Sequence, residues 1–287
     1  MVGYNIGADL ESVKYLLECS DAELSSDLGV SEMTIERWRD NDRQITEKHI
    51  RDIYDYAYSR RIRLNAIKQQ LYKEEYCNSD SIVLFHGAKQ EIVSELSLTY
   101  SRETNDFGRG FYCGDSLEQS AMFVSTYPNS SVYIVKFDSG NKMKSKKYAV
   151  DRDWMLTIAN CRRRIDEFAH SEIITNLMSE LKECDYVIAP IADNRMFQLI
   201  DEFAEGLITD VQCQHALSAT NLGMQYVFLS ERALDNIELL TRCYLTEAEK
   251  DDYLRSRQTA SSVSLDKVKI AKRMYRNEGL YIEEILK

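Results

Sequence analysis

Proline and glycine are scarce, with 2 and 11 residues among 287. Their scarcity argues against long proline-rich or low-complexity linkers and predicts order through most of the chain. No apolar run approaches the ~18 residues that a membrane helix needs, and the opening MVGYNIGADLESVKYLL lacks a basic start followed by an apolar stretch. Export and membrane insertion are therefore not expected; a cytoplasmic location is. The 7 cysteines are odd in number and scattered, without a CxxC or a Cys/His cluster, and read as reduced thiols. The 4 histidines include no HExxH spacing, and no GxSxG elbow occurs, so neither a metal site nor Ser/His/Asp hydrolysis is predicted. A net charge of −11 excludes a general attraction to nucleic-acid phosphates, leaving only a local basic patch as a route to such contact.

What the chain does have is 44% hydrophobic residues against 29% charged ones, enough to bury a sizeable core. Apolar positions recur at three- and four-residue spacing through residues 1–77, which predicts a small all-helical domain. Within it, Ser20-Asp21-Ala22-Glu23-Leu24 fits a capped helix start, Leu28-Gly29-Val30-Ser31 a glycine-containing turn, and 32–39 a second helix. This arrangement resembles the helix-turn-helix of phage-repressor-like proteins. The resemblance implies Glu32, Thr34 and Arg37, with Met33, as the DNA-facing side chains. Residues 1–76 nevertheless carry 11 Lys+Arg against 15 Asp+Glu, a balance of 11 − 15 = −4, so DNA binding is not the favoured role. The same helices serve equally as a docking or oligomerisation unit.

After Cys77-Asn78-Ser79-Asp80 the pattern changes to short β-like runs at 82–85, 132–137, 186–189 and 226–229, with helical stretches at 117–126, 153–169 and 195–205 between them. Residues 78–240 are thus expected to form a mixed domain, and the chain as a whole is α+β. Residues 241–287 are expected to return to helix, with a polar break at 258–262. The locally basic DKVKIAKRMYR at 266–276 is read as a solvated helix face in preference to a nucleic-acid contact.

Three segments carry the chemistry: Leu84-Phe85-His86-Gly87-Ala88-Lys89, Asp106-Phe107-Gly108-Arg109-Gly110-Phe111-Tyr112-Cys113, and Asp185-Tyr186-Val187-Ile188-Ala189-Pro190-Ile191-Ala192-Asp193. With Trp154, Asn160, Arg162 and Leu222-Gly223-Met224-Gln225-Tyr226-Val227-Phe228, they resemble an uncharacterised bacterial family of the ADP-ribosyltransferase superfamily. The branch is the one that includes diphtheria toxin and the poly(ADP-ribose) polymerases. The resemblance implies a split β-sheet domain binding NAD as substrate, with a histidine, a tyrosine and a glutamate on three strands. His86 and Tyr112 match the first two, and Gln225 stands where the third belongs.

By the same resemblance, His86 meets the adenine-side ribose, the backbone of Gly87 reads the nicotinamide amide, and Tyr112 offers a stacking face. Phe107, Gly108, Arg109 and Gly110 complete the expected NAD-binding set, Arg109 meeting either the pyrophosphate or only solvent. Asp106 is expected to cap or brace the tyrosine-bearing turn; no Gly-rich phosphate loop or HRD accompanies DFG, which excludes a kinase. An amide at 225 accepts a hydrogen bond from a ribose hydroxyl but carries no charge to balance an oxocarbenium ion. Glu231 and Asp193 are candidate replacement carboxylates.

The function expected from the resemblance is mono-ADP-ribosylation of a macromolecular acceptor, as in a toxin or phage-defence effector restrained by an antitoxin or another regulatory partner. The competing expectations are a DNA-binding regulator that senses NAD or a nucleotide without turnover, and a protein-binding scaffold.

Overall fold

Serine, aspartate and glutamate at 20–23 have little to bury, but together they satisfy a helix start. Ser20 Oγ accepts from Glu23 N–H at 3.2 Å and Glu23 Oε2 accepts from Ser20 N–H at 2.8 Å, closing a capping box on two otherwise unpaired donors. The helix so begun, Asp21–Leu28, ends where Gly29 takes φ 68°, and Ser31 Oγ accepts from Thr34 N–H to start Glu32–Asp40. Ser20→Ala is expected to lower stability by about 1 kcal/mol in urea denaturation.

The computed structural model describes residues 2–40, 45–140, 142–192, 194–220 and 223–287, and for 194–195 and 260–264 it describes the backbone alone. The chain divides into two units, each assembled from three segments. Helices and strands are numbered in chain order.

The first unit comprises Met1–Glu95, Ser116–Asp138 and Ile237–Ser256. Five helices, α1 (Ile6–Leu17), α2 (Asp21–Leu28), α3 (Glu32–Asp40), α4 (Glu47–Ser59) and α5 (Leu64–Tyr76), enclose a core that includes Ile6, Leu10, Leu24, Ile35, Trp38 and Ile53. Strands β1 (Ser81–Ala88), β3 (Ser131–Asp138) and β7 (Ile237–Cys243) pair antiparallel in the order β1-β3-β7, with a bulge between Ile134 and Val135. Val132 to Val135 and Phe137 are all fully buried, as befits a strand paired on both edges and covered on both faces. Helix α6 (Leu117–Val124) packs Leu117, Ala121 and Val124 on Val83 and Phe85 of β1. Residues of α12 (Glu247–Met274) up to Ser256 also belong here.

The second unit comprises Leu96–Asp115, Ser139–Asn236 and Arg257–Lys287. Strands β4 (Ser145–Lys147), β5 (Tyr186–Pro190), β6 (Met224–Phe228) and β2 (Phe111–Gly114) lie side by side in that order; β4 and β5 are parallel, and the other pairs antiparallel. Helices α7 (Arg152–Cys161), α8 (Glu172–Lys182), α9 (Asn194–Ala204) and α10 (Asp210–Ser218) bury Trp154, Ile158, Ile174, Ile200, Phe203 and Leu217 with Val187, Ala189 and Val227 of the strands. Short helices α11 (Glu231–Leu234) and α13 (Ile282–Leu286) complete the unit.

Two sequence expectations are corrected. The helix expected over 153–169 stops at Cys161, because Arg163 takes φ 57° and Arg164 N–H closes back on Ala159 O at 2.8 Å. The break expected at 258–262 is absent: α12 runs unbroken from 247 to 274, since Gln, Thr, Ala and Ser lower helix propensity without preventing it as proline would.

Candidate functional site

Alternation along paired strands decides which side chains meet. Tyr112 lies opposite Val227, and Gln225 opposite both Gly114 and Ala189. Residues two apart share a face, so Tyr112, Gln225, Val187, Ala189 and Val227 all look toward one side, the side that packs against the helical core of the second unit.

The loop before β2 brings further groups to Gln225. Gln225 is 7% exposed, and its Nε2 donates to Asp106 Oδ2 and to Pro190 O, each at 3.1 Å. Asp106, 6% exposed, forms an ion pair through Oδ1 with Arg162. The Arg162 guanidinium lies 3.8 Å from the centroid of the Phe197 ring, a cation–π contact that helps hold the charge in this half-buried place. The Schellman-type stop of α7 sets Arg162 there, immediately before the left-handed Arg163.

Tyr112 closes the glycine turn that precedes it. Its hydroxyl donates to Gly108 O at 2.8 Å and accepts from Phe107 N–H at 3.2 Å, while Gly108 adopts φ 75°. Burial holds the phenol far above its usual pKa, the nearby Asp106 charge acting in the same direction, so Tyr112 is a neutral aromatic and not a base. Phe107 is buried with its ring centroid 5.2 Å from that of Tyr148. Arg109 is committed within its own loop: its guanidinium donates to Glu103 Oε1 at 2.9 Å, Thr99 O at 2.8 Å and Ser101 O at 3.1 Å. Gly110 permits close packing, since a Cβ there would stand 2.8 Å from Phe228 O.

His86 and Gly87 belong to the first unit. His86 sits opposite Tyr133, on the face of β1 away from Val83 and Phe85 and so away from α6. Gly87 has a structural reason to be glycine, because a Cβ would lie 2.6 Å from Ser120 O of α6. Thus Tyr112, Gln225, Asp106 and Arg162 come together in one unit, and His86 and Gly87 stand in the other.

The sequence offers no local signal for the Asp106–Gln225 contact, which joins residues 119 apart. Of the two candidate replacement carboxylates, Glu231 is exposed and lies in α11, beyond the opposite end of β6 from Gln225, so it is not a partner of the amide. Asp193 lies outside the described residues. In the helical unit, Glu32, Met33, Glu36 and Arg37 are exposed and Thr34 is half-buried against Ser31 Oγ, at 2.9 Å. Arg39 is taken by Asp21 and by Glu11, the latter at 2.6 Å. The outward face of α3 thus offers Glu32, Glu36 and Asp40 against Arg37, a poor match for phosphate. Among the described residues no group of three or more His, Cys, Asp or Glu is placed to hold a metal, and no helix is long and apolar enough to cross a membrane.

Over residues 82–239 the sequence matches a family described as "Protein of unknown function (DUF3990)". The chain belongs to that family. Its match covers more than half of the chain and contains His86 of the first unit as well as Asp106, Tyr112, Arg162 and Gln225, which come together in the second. Comparison with curated proteins and with solved structures gives no match.

Proposed function

We propose that this member of the DUF3990 family is an NAD-dependent mono-ADP-ribosyltransferase acting on a macromolecular acceptor, as a toxin or phage-defence effector held in check by a regulatory partner. The observation that carries the reading is the shared face of Tyr112 and Gln225 with the Asp106 carboxylate against the amide. Two acceptors engage the two hydrogens of Gln225 Nε2, which leaves its carbonyl oxygen to accept a ribose hydroxyl. Tyr112, its hydroxyl already satisfied by the turn, presents an aromatic ring and not a proton-transfer group. His86, on strand β1, is the residue that the resemblance assigns to the adenine-side ribose.

In the reaction the nicotinamide–ribose bond breaks and its electron pair leaves with nicotinamide. The acceptor nucleophile forms the new bond to the ribose carbon and gives up its proton to solvent. The chain's residues contribute position and charge around the cationic sugar, which is where most of such a rate gain arises.

NAD labelled on the adenylate phosphate, incubated with the protein and a bacterial lysate, tests this. Transfer of label to protein or nucleic acid is expected, falling at least roughly a hundredfold in His86→Ala and in Gln225→Ala. Absence of both labelling and nicotinamide release would overturn it. The neutrality of Gln225 favours a second reading, a regulator that senses NAD or a nucleotide without turnover. NAD binding without nicotinamide release is the result that would select it.

A further inference from the structure

Gln225 is an amide at a position where the resemblance implies a carboxylate, and its surroundings give the reason. Both contacts of Nε2 are to oxygen acceptors, Asp106 Oδ2 and Pro190 O. A glutamate in the same place would turn each into an oxygen–oxygen encounter and set two carboxylates about 3 Å apart, with Asp106 and Gln225 only 6% and 7% exposed. At that depth water screens such a repulsion weakly. Asp106 is meanwhile held from the other side by Arg162, one oxygen to each partner.

We infer that the acidic group of this site has moved from strand β6 to the loop before β2: Asp106 is the carboxylate that faces the ribose, held by the amide of Gln225, which also accepts from that ribose, and by Arg162, a positioning residue. The inference rests on the transferase reading and adds to it the residue that supplies negative charge. Each carboxylate oxygen has more than one acceptor site, so Oδ2 accepts from the amide and retains capacity for a ribose hydroxyl. When the nicotinamide bond breaks, the charge on Asp106 stabilises the cationic sugar that Gln225 alone would leave unbalanced. The ion pair with Arg162 orients the carboxylate and offsets part of the cost of a charge at this depth.

The test is a double-mutant cycle on the whole chain with Asp106→Asn, Gln225→Glu and the double exchange, reading nicotinamide release and melting temperature for each. Asp106→Asn is expected to lower kcat about a hundredfold with a much smaller change in KM, the split that distinguishes lost charge from lost folding. Gln225→Glu is expected to lower both melting temperature and turnover, although it brings the chain nearer the family pattern. In the exchange, the amide introduced at position 106 donates to the carboxylate introduced at position 225, so melting temperature and turnover recover part of what the single changes lose. Gln225→Glu with higher turnover and an unchanged melting temperature would overturn the inference, as would an Asp106→Asn protein with wild-type kcat. Those results leave the transferase reading intact, whereas a wild type that releases no nicotinamide removes that reading itself. In that case the melting temperatures still decide the pairing: an exchange no more stable than the two single changes summed overturns it.

Discussion

Asp9→Ala is expected to lower the stability of the first unit by about 3–5 kcal/mol, among the largest effects of any single substitution in the chain. Asp9 and Lys68 form an ion pair of 2.7 Å with side chains 3% and 5% exposed. Tyr54 donates to Asp9 at 2.6 Å, and Lys68 donates to Tyr54 Oη at 2.9 Å and to Tyr4 O. The cluster links α1, α4 and α5, so its loss is felt across the helical core and not on one helix alone. Removing the carboxylate leaves a nearly buried ammonium with neutral acceptors but no counter-charge. Asp9 also stands in the first turn of α1, where the helix dipole favours a negative charge. Replacing both partners with apolar residues of similar size, Asp9→Leu with Lys68→Met, is expected to recover only part of the loss: the desolvation cost of the pair disappears with the pair, but the buried Tyr54 hydroxyl and Tyr4 carbonyl lose their partners. Urea denaturation of the two single variants and the double variant checks this. A double variant as unstable as the sum of the singles would show that the two charges do not stabilise one another.

This cluster also shows where sequence reasoning stops. The helices themselves are legible: Ile50, Ile53, Tyr54 and Ala57 recur at helical spacing in α4, and Ser20 with Glu23 announces α2. Nothing in the spacing tells that Asp9 and Lys68, 59 positions apart by 68 − 9, face each other inside the core. Strands β1, β3, β5 and β6 stand out as apolar runs because they are buried on both faces. Strand β2 is four residues, Phe111–Gly114, and owes its conformation to pairing with β6 more than to any pattern of its own. In β7, Glu238 and Arg242 interrupt the apolar run, so its strand character comes from its place beside β3. Helix α8 carries the ordinary helical signal, with Ile174, Leu177 and Leu181 at spacings of three and four. The site divides in the same way. The positions of His86, Tyr112 and Gln225 on strands β1, β2 and β6 follow from local motifs, whereas the contacts of Asp106 with Gln225 and Arg162 depend on long-range packing and on a helix that ends eight residues before the expected point. Gly87 has a reason the motif does not disclose, the carbonyl of Ser120 standing 2.6 Å from where a Cβ would be.

Glu249→Gln is expected to stabilise the protein at pH 8 and to change it little at pH 4. Glu249 is 6% exposed in the first turn of α12, and burial raises its carboxyl from 4.5 to about 7. Asn65 Nδ2 at 2.8 Å and Tyr253 Oη at 3.1 Å donate to it and, with the nearby Arg63 charge, pull the other way, but these contacts only partly offset the loss of water. A folded-state value above the unfolded one means that the folded state binds the proton more tightly. Stability from this group is therefore fully present below about pH 4.5 and is lost as pH rises through about 7. Above that window the glutamate is ionised in both states, and the folded one carries a penalty of about 3 kcal/mol, from roughly 1.4 kcal/mol for each pH unit of difference. Glutamine retains a carbonyl acceptor and has no charge to desolvate, so the variant's denaturation midpoint should be flat between about pH 5 and 8 with respect to this group while the wild type's declines. Parallel pH profiles for the two proteins would place the wild-type carboxyl near its ordinary value. They would also show that Asn65 and Tyr253 compensate fully for the burial of the charge.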